Sequence, residues 1–137
     1  MFVRDLMSTD LVVVDVETSL AEAARTMVSA GVGSALVTRD GTPTGIVTET
    51  DALAAGASAD EPFEDIPLEA AMSSPVETVQ PDVTVRAAVQ RMEDVGVKKL
   101  PVADGVDFLG IVTMTDVVLG YHDILREAHD LEARRED

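Results

Sequence analysis

Two short runs of this chain carry residue types whose spacing could bind a ligand: Thr48-Glu49-Thr50-Asp51 and Thr113-Met114-Thr115-Asp116. Each follows the same tripeptide, Gly45-Ile46-Val47 in one case and Gly110-Ile111-Val112 in the other. The threonine ends a β-branched run and the aspartate falls in the first turn of the helix that follows, so both side chains gather at one helix N-terminus. Free backbone N–H groups and the positive end of the helix dipole favour an anionic group such as a phosphate there, and a hydroxyl adds a donor. A carboxylate with two acceptor oxygens suits the paired hydroxyls of a ribose. Aliphatic strands alongside, represented by Val12 and Pro101, would give a purine ring apolar walls. The same Thr-x-x-Asp spacing is also that of a capping box, in which hydroxyl and carboxylate only close a helix end. The residues alone leave both readings open.

The motif occurs twice because the chain repeats itself. Residues 7–53 align with 72–118 at a constant offset of 65, without a gap, so that Met7 meets Met72, Met27 meets Met92 and Gly31 meets Gly96. A duplicated unit of this size packs against its copy, and the seam between copies is a natural ligand site. Within the first copy, Leu11–Val16 is a β-branched strand. Ser19 and Glu22 then stand at capping-box spacing before an apolar helical face of Leu20, Ala23, Ala24, Met27 and Val28, which Gly31 ends. Strands 35–38 and 45–48 follow, joined by turn residues 39–43, and a second helix opens at Thr50-Asp51.

The second copy predicts a strand at 76–79, a helix with Val85, Ala88, Val89, Met92 and Val95 on one face, and strands 100–103 and 109–113. The fold class expected is α/β (α+β), two pseudo-symmetric β-α-β-β-α repeats packed sheet to sheet. Its expected divisions are a first repeat over 2–56, a Pro-broken acidic linker over 57–67, a second repeat over 68–125 and a helical tail over 126–137. Along a helix running on from Val117, the residues Val118, Leu125, Ala128 and Leu131 are candidate buried positions, with a frayed last turn.

Composition narrows the function classes. With 137 residues the chain fits one compact body burying roughly two-thirds of its unfolded surface. It has no cysteine, which excludes disulfides, thiolate zinc and thiol catalysis. Met1 is followed by neither a charged-then-apolar leader nor a run of ~18 apolar residues, so a soluble, cytoplasmic protein is expected. Acids number 26 against 10 bases, a net charge of −16, spread along a chain that is still 46 % hydrophobic. Such a surface suits a cell interior with molar salt, where the Debye length is ~3 Å, although an ordinary acidic protein has the same signature. Nucleic acid and anionic membranes both need a basic face, and neither is an expected partner.

The repeated Gly-Ile-Val-Thr-x-x-Asp in the second half of a β-α-β-β-α unit resembles the cystathionine-β-synthase (CBS) domain, and the pair resembles a Bateman module. Met7-Ser8-Thr9 and Met72-Ser73-Ser74-Pro75 before each first strand, and Leu100-Pro101-Val102 in the second copy, extend the likeness over residues 2 to about 125. The resemblance implies a non-catalytic regulatory module binding adenosine-containing ligands in clefts between the repeats. Asp51 and Asp116 would hold ribose, with Thr48 and Thr113 on the phosphate side. It implies a flat homodimer through the helices carrying Leu20/Met27 and Val85/Met92, or through those after the aspartates. With no attached effector, output would pass through that dimer or an effector protein. The alternative is a ligand-free dimerisation or protein-interaction module whose motif is only a helix cap.

Loops before the second strands complete the candidate site: Gly33 and Ser34 in one copy, Lys98 and Lys99 in the other. These are the chain's only lysines, so they either contact phosphate, making the two clefts unequal, or snorkel over the surface and offset acids. Many members of the resembled family carry a base at the variable positions of Thr-x-x-Asp. Here those positions are Glu49-Thr50 and Met114-Thr115, which favours AMP or S-adenosylmethionine over a triphosphate. No cofactor is required. His122 and His129 are seven residues apart, unlike the four-residue spacing of a two-histidine zinc helix; a weak metal site with Glu127 and Asp130 competes with a solvated or dimer-facing helix. No Walker loop, nucleophile elbow or Ser-His-Asp set can be assembled, so no catalytic residue is expected.

Overall fold

A computed structural model describes residues 1–74, 76–120, 125, 126, 128 and 129. Its helices are α1 (Val3–Leu6), α2 (Leu20–Ala30), α3 (Glu49–Ser58), α4 (Val85–Val95) and α5 (Met114–Leu119). Its strands are β1 (Val13–Asp15), β2 (Ser34–Arg39), β3 (Thr42–Thr48), β4 (Lys99–Asp104) and β5 (Asp107–Thr113). β1, β2 and β3 form one sheet in that order, β1 parallel and β3 antiparallel to β2, while β4 and β5 form a second.

The chain resolves into two compact units. The first-repeat unit holds Asp10–Glu77 with Gly105–Phe108; the second-repeat unit holds Met1–Thr9, Thr78–Asp104 and the chain from Leu109. The segment leading into each repeat therefore belongs to the unit built from the other repeat. In the first-repeat unit Ser73 bridges Ile46 and Pro67 bridges Ser19; in the second, Ser8 bridges Ile111 and Phe2 bridges Thr84. Every one of these pairs maps onto its counterpart at the 65-residue offset.

Local chemistry accounts for the elements. Ser19 Oγ accepts the Glu22 N–H at 3.1 Å to start α2, and Gly31, at φ 69°, closes it in the left-handed conformation. Thr84 Oγ1 does the same for the Ala87 N–H in α4, which ends at Gly96. The β2–β3 hairpin turns on Asp40 (φ 52°) and Gly41 (φ 79°) between paired Arg39 and Thr42, the two positive φ values of a type I′ turn.

Each unit has its own core. Leu20, Ala23 and Met27 of α2 pack with Ala35, Val37 and Val47 in the first-repeat unit. Ala88 and Met92 of α4 pack with Val3, Leu100, Val102 and Val112 in the second. Several expectations need correction. Residues 76–79 form no strand; only Val79 bridges Val102, because Pro81 stands where Val16 donates its N–H to Thr38 O in the first copy, and a proline has no N–H to make that rung. Part of the 57–67 stretch is structured: α3 runs to Ser58, a 3₁₀ turn spans Phe63–Asp65, Ile66 is buried, and Phe63 packs on the first-repeat core. Val28 (82 % exposed) and Val95 (42 %) lie at the edges of their helical faces instead of in the core. Val118, Leu125 and Ala128 are exposed, and Leu131, His122, Glu127 and Asp130 lie outside the described residues.

Candidate functional site

The threonine of each motif is the N-cap of the helix it introduces. Thr48 Oγ1 accepts the Asp51 N–H at 3.1 Å, and Asp51 Oδ2 accepts the Thr48 N–H at 2.9 Å. Thr113 and Asp116 repeat this at 3.0 and 2.9 Å. Both motifs are thus complete capping boxes. Capping leaves something over in each. The threonine hydroxyl spends a lone pair and keeps its proton to donate, and the aspartate engages Oδ2 while Oδ1 has no protein hydrogen bond among the described residues. All four residues are half-buried.

The loops before β2 and β4 dock against these helix starts. Gly33 O accepts the Glu49 N–H at 3.0 Å, and Ser34 pairs with Thr48 across the β2–β3 ladder. In the second-repeat unit Lys98 O accepts the Met114 N–H at 2.8 Å. Gly33 and Ser34 are therefore gathered beside Thr48 and Asp51, and Lys98 and Lys99 beside Thr113 and Asp116. Val12 and Pro101 lie deeper. Both are buried, and their carbonyls accept the Leu36 and Val79 N–H groups.

The motif glycines have a separate task. A Cβ on Gly45 would come within 2.7 Å of Ser73 O, and one on Gly110 within 2.6 Å of Ser8 O. Only a glycine lets the leading segments lie flat against β3 and β5. In the sequence these glycines read only as marks of the motif, although a glycine inside a strand also signals a close backbone approach. Glu49 likewise reads only as a missing base, whereas Glu49 Oε1 lies 3.4 Å from where a Gly33 Cβ would be.

Beside the first motif, α2 and α3 enclose an open groove of about 570 Å3. Ala24, Val28, Val32, Leu53 and Phe63 line it, with Glu49 at its polar edge. Val28 and Leu53 are 82 % and 75 % exposed, which is unusual on so acidic a surface. Leu20 and Met27 of the same α2 face the core. Elsewhere, the Glu69 carboxylate accepts a 2.6 Å hydrogen bond from Arg39, which with the ion-pair attraction raises the arginine's pKa above its ordinary value. Among the described residues no group of three or more His, Asp or Glu could hold a metal, and no helix is long and apolar enough to cross a membrane.

Two half-buried capping boxes on a duplicated frame, β-α-β-β-α in the first copy and α-β-β-α with a single bridge at Val79 before it in the second, define a tandem repeat of one small domain class. The CBS domain family matches residues 3–58 and 64–123, and the chain belongs to it as a pair of CBS domains. An uncharacterized protein of Methanopyrus kandleri is 36 % identical over 90 residues, 64 % of this chain; the chain spans 46 % of that relative's length. The crystal structure of a CBS-domain-containing protein from Agrobacterium tumefaciens is 30 % identical, with a TM-score of 0.76 over 88 % of this chain and 99 % of that one. The CBS domain pair of protein MJ0100, in complex with 5′-methylthioadenosine and S-adenosyl-L-methionine, has the same fold at 23 % identity (TM-score 0.76, covering 90 % and 97 %).

Proposed function

We propose that the chain is a non-catalytic regulatory module that binds an adenosine-containing ligand, AMP or a related nucleotide or S-adenosylmethionine, at its Thr-x-x-Asp motifs. The observation that carries this reading is the unspent capacity of each motif. A carboxylate oxygen and a hydroxyl proton remain after the cap is complete, half-buried beside a loop, in two equivalent places. Asp51 and Asp116 accept from ribose hydroxyls, and Thr48 and Thr113 donate to the 5′ substituent. Gly33, Ser34, Lys98 and Lys99 flank it, with Val12 and Pro101 in the apolar base. The adenosyl ligands of the MJ0100 pair support the ligand class. Output passes through a second copy of the chain or an effector protein, and the apolar groove between α2 and α3 supports the former.

A second reading is favoured by the completeness of the caps: the motifs serve only to start helices, and the chain is a ligand-free assembly module. Calorimetric titration of the wild type and of the Asp51→Ala/Asp116→Ala chain with AMP, S-adenosylmethionine and adenosine separates the two. A regulatory site loses tenfold or more in affinity while the fold survives with a cap-sized loss of about 1 kcal/mol per helix. An assembly module takes up none of the three ligands before or after mutation.

A further inference from the structure

The two motif neighbourhoods match residue for residue in the chain and carry opposite charge. Around Thr48 and Asp51 stand Gly33, Ser34 and Glu49; at the equivalent positions around Thr113 and Asp116 stand Lys98, Lys99 and Met114. The backbone arrangement is the same in both, an N–H of the first helical residue on the loop carbonyl, 3.0 Å in one unit and 2.8 Å in the other. What differs is the side chain over the loop. Glu49 Oε1 approaches to 3.4 Å of the Cβ position of Gly33, the space a loop side chain would occupy.

We infer that Glu49 is a specificity-determining residue: the first repeat takes an adenosyl ligand whose 5′ substituent is neutral or cationic, and turns away a 5′-phosphorylated one. The inference rests on the adenosyl-ligand reading of the motifs given above. The Glu49 carboxylate lies over the Gly33 loop, and that loop docks beside Thr48 through Ser34, so a phosphate held by the Thr48 hydroxyl would share this space with a negative charge. A sulfonium or ammonium there meets attraction instead. At such separations, in a setting between water and protein surface, the repulsion is worth on the order of a tenfold change in affinity. Lys98 and Lys99 reverse the sign in the second repeat, so the one chain reads two chemically opposite signals.

Titration of the ¹⁵N-labelled chain with adenosine, AMP and S-adenosylmethionine, at the lowest KCl in which it stays folded, tests this. The Gly33 amide reports the first repeat and the Lys98 amide the second. At Gly33, AMP should bind about tenfold more weakly than adenosine, and S-adenosylmethionine at least as tightly as adenosine. Glu49→Gln should erase the difference and Glu49→Lys should invert it; Glu49 is exposed, so neither change threatens the fold. Equal affinities at Gly33, or an order unmoved by Glu49→Lys, would overturn charge selection while adenosine binding lost in Asp51→Ala still upheld the ligand site. No response to any of the three at either amide would remove both.

Discussion

Replacing Gly45 by alanine tests whether the motif glycine serves the exchange of leading segments. The new Cβ would lie 2.7 Å from Ser73 O and 3.3 Å from Met72 Sδ. Reaching an ordinary 3.4 Å contact with the carbonyl requires Ser73 to retreat by about 0.7 Å. Ser73 is held by two backbone bonds, Ile46 N to Ser73 O at 3.1 Å and Ser73 N to Ile46 O at 2.9 Å. A retreat of that size stretches both past useful length, at roughly 1 kcal/mol each, and residual overpacking adds about 1–2 kcal/mol. The total, about 3–4 kcal/mol, corresponds to a fall in Tm of roughly 10–15 °C for a chain of this size. Gly33→Ala is the control, because its only close neighbour is the flexible tip of Glu49 at 3.4 Å and its φ is not positive. That change should leave Tm unchanged or slightly raised. Scanning calorimetry gives the global number, and hydrogen exchange at Ile46 and Ser73 gives the local one. A Gly45→Ala chain melting like Gly33→Ala, with those two amides still protected, would refute the reasoning.

Four further outcomes are expected. Thr48→Ala should cost about 1 kcal/mol by chemical denaturation and Thr48→Ser much less, since only the hydroxyl caps α3. On the proposed pairing with a second copy through the groove, the wild type should sediment as a dimer and Leu53→Glu as a monomer of unchanged Tm, because the side chain is 75 % exposed there; a monomeric wild type, or a dimer that persists in the variant, would refute that contact. Lowering KCl from molar to 50 mM should reduce Tm progressively as the −16 charge loses its screening; a flat profile would mark an ordinary acidic protein. Arg39→Ala should leave Tm unchanged within error at any salt, since its ion pair with Glu69 is exposed on both sides.

Local features of this fold were legible in the sequence, and long-range ones were not. Ser19, Thr48 and Thr113 announce helix starts through interactions spanning three residues, and Asp40-Gly41 announces its turn through backbone conformation alone. The loops beside the motifs could be expected from repeat symmetry. The exchange of leading segments could not, because two isolated bridges per segment, six residues apart, leave no periodic pattern around Phe2 and Ser8 or Pro67 and Ser73. Its one available sign was a glycine inside a strand, Gly45 and Gly110, which marks a close backbone approach. The 57–67 stretch reads as a plain linker because acidic residues and Pro62 outweigh Phe63 and Ile66, two apolar side chains that a 3₁₀ turn directs onto the core. Glu49 was undervalued since its meaning lies in what faces it, a glycine where the other copy has a lysine.

The reciprocal bridges give equivalent repeats unequal histories at the ribosome. When Ser73 is made its partner Ile46 already exists, so that pairing can close at once. Ser8 is made about a hundred residues before Ile111. At synthesis rates of roughly 5–20 residues per second it waits some 5–20 s for a partner. Through that interval Phe2 and Ser8 lack the bridge partners they have in the finished unit, and the segment is open to capture by another chain. Translation thereby orders assembly: the second-repeat unit closes after the first, on residues made before either repeat.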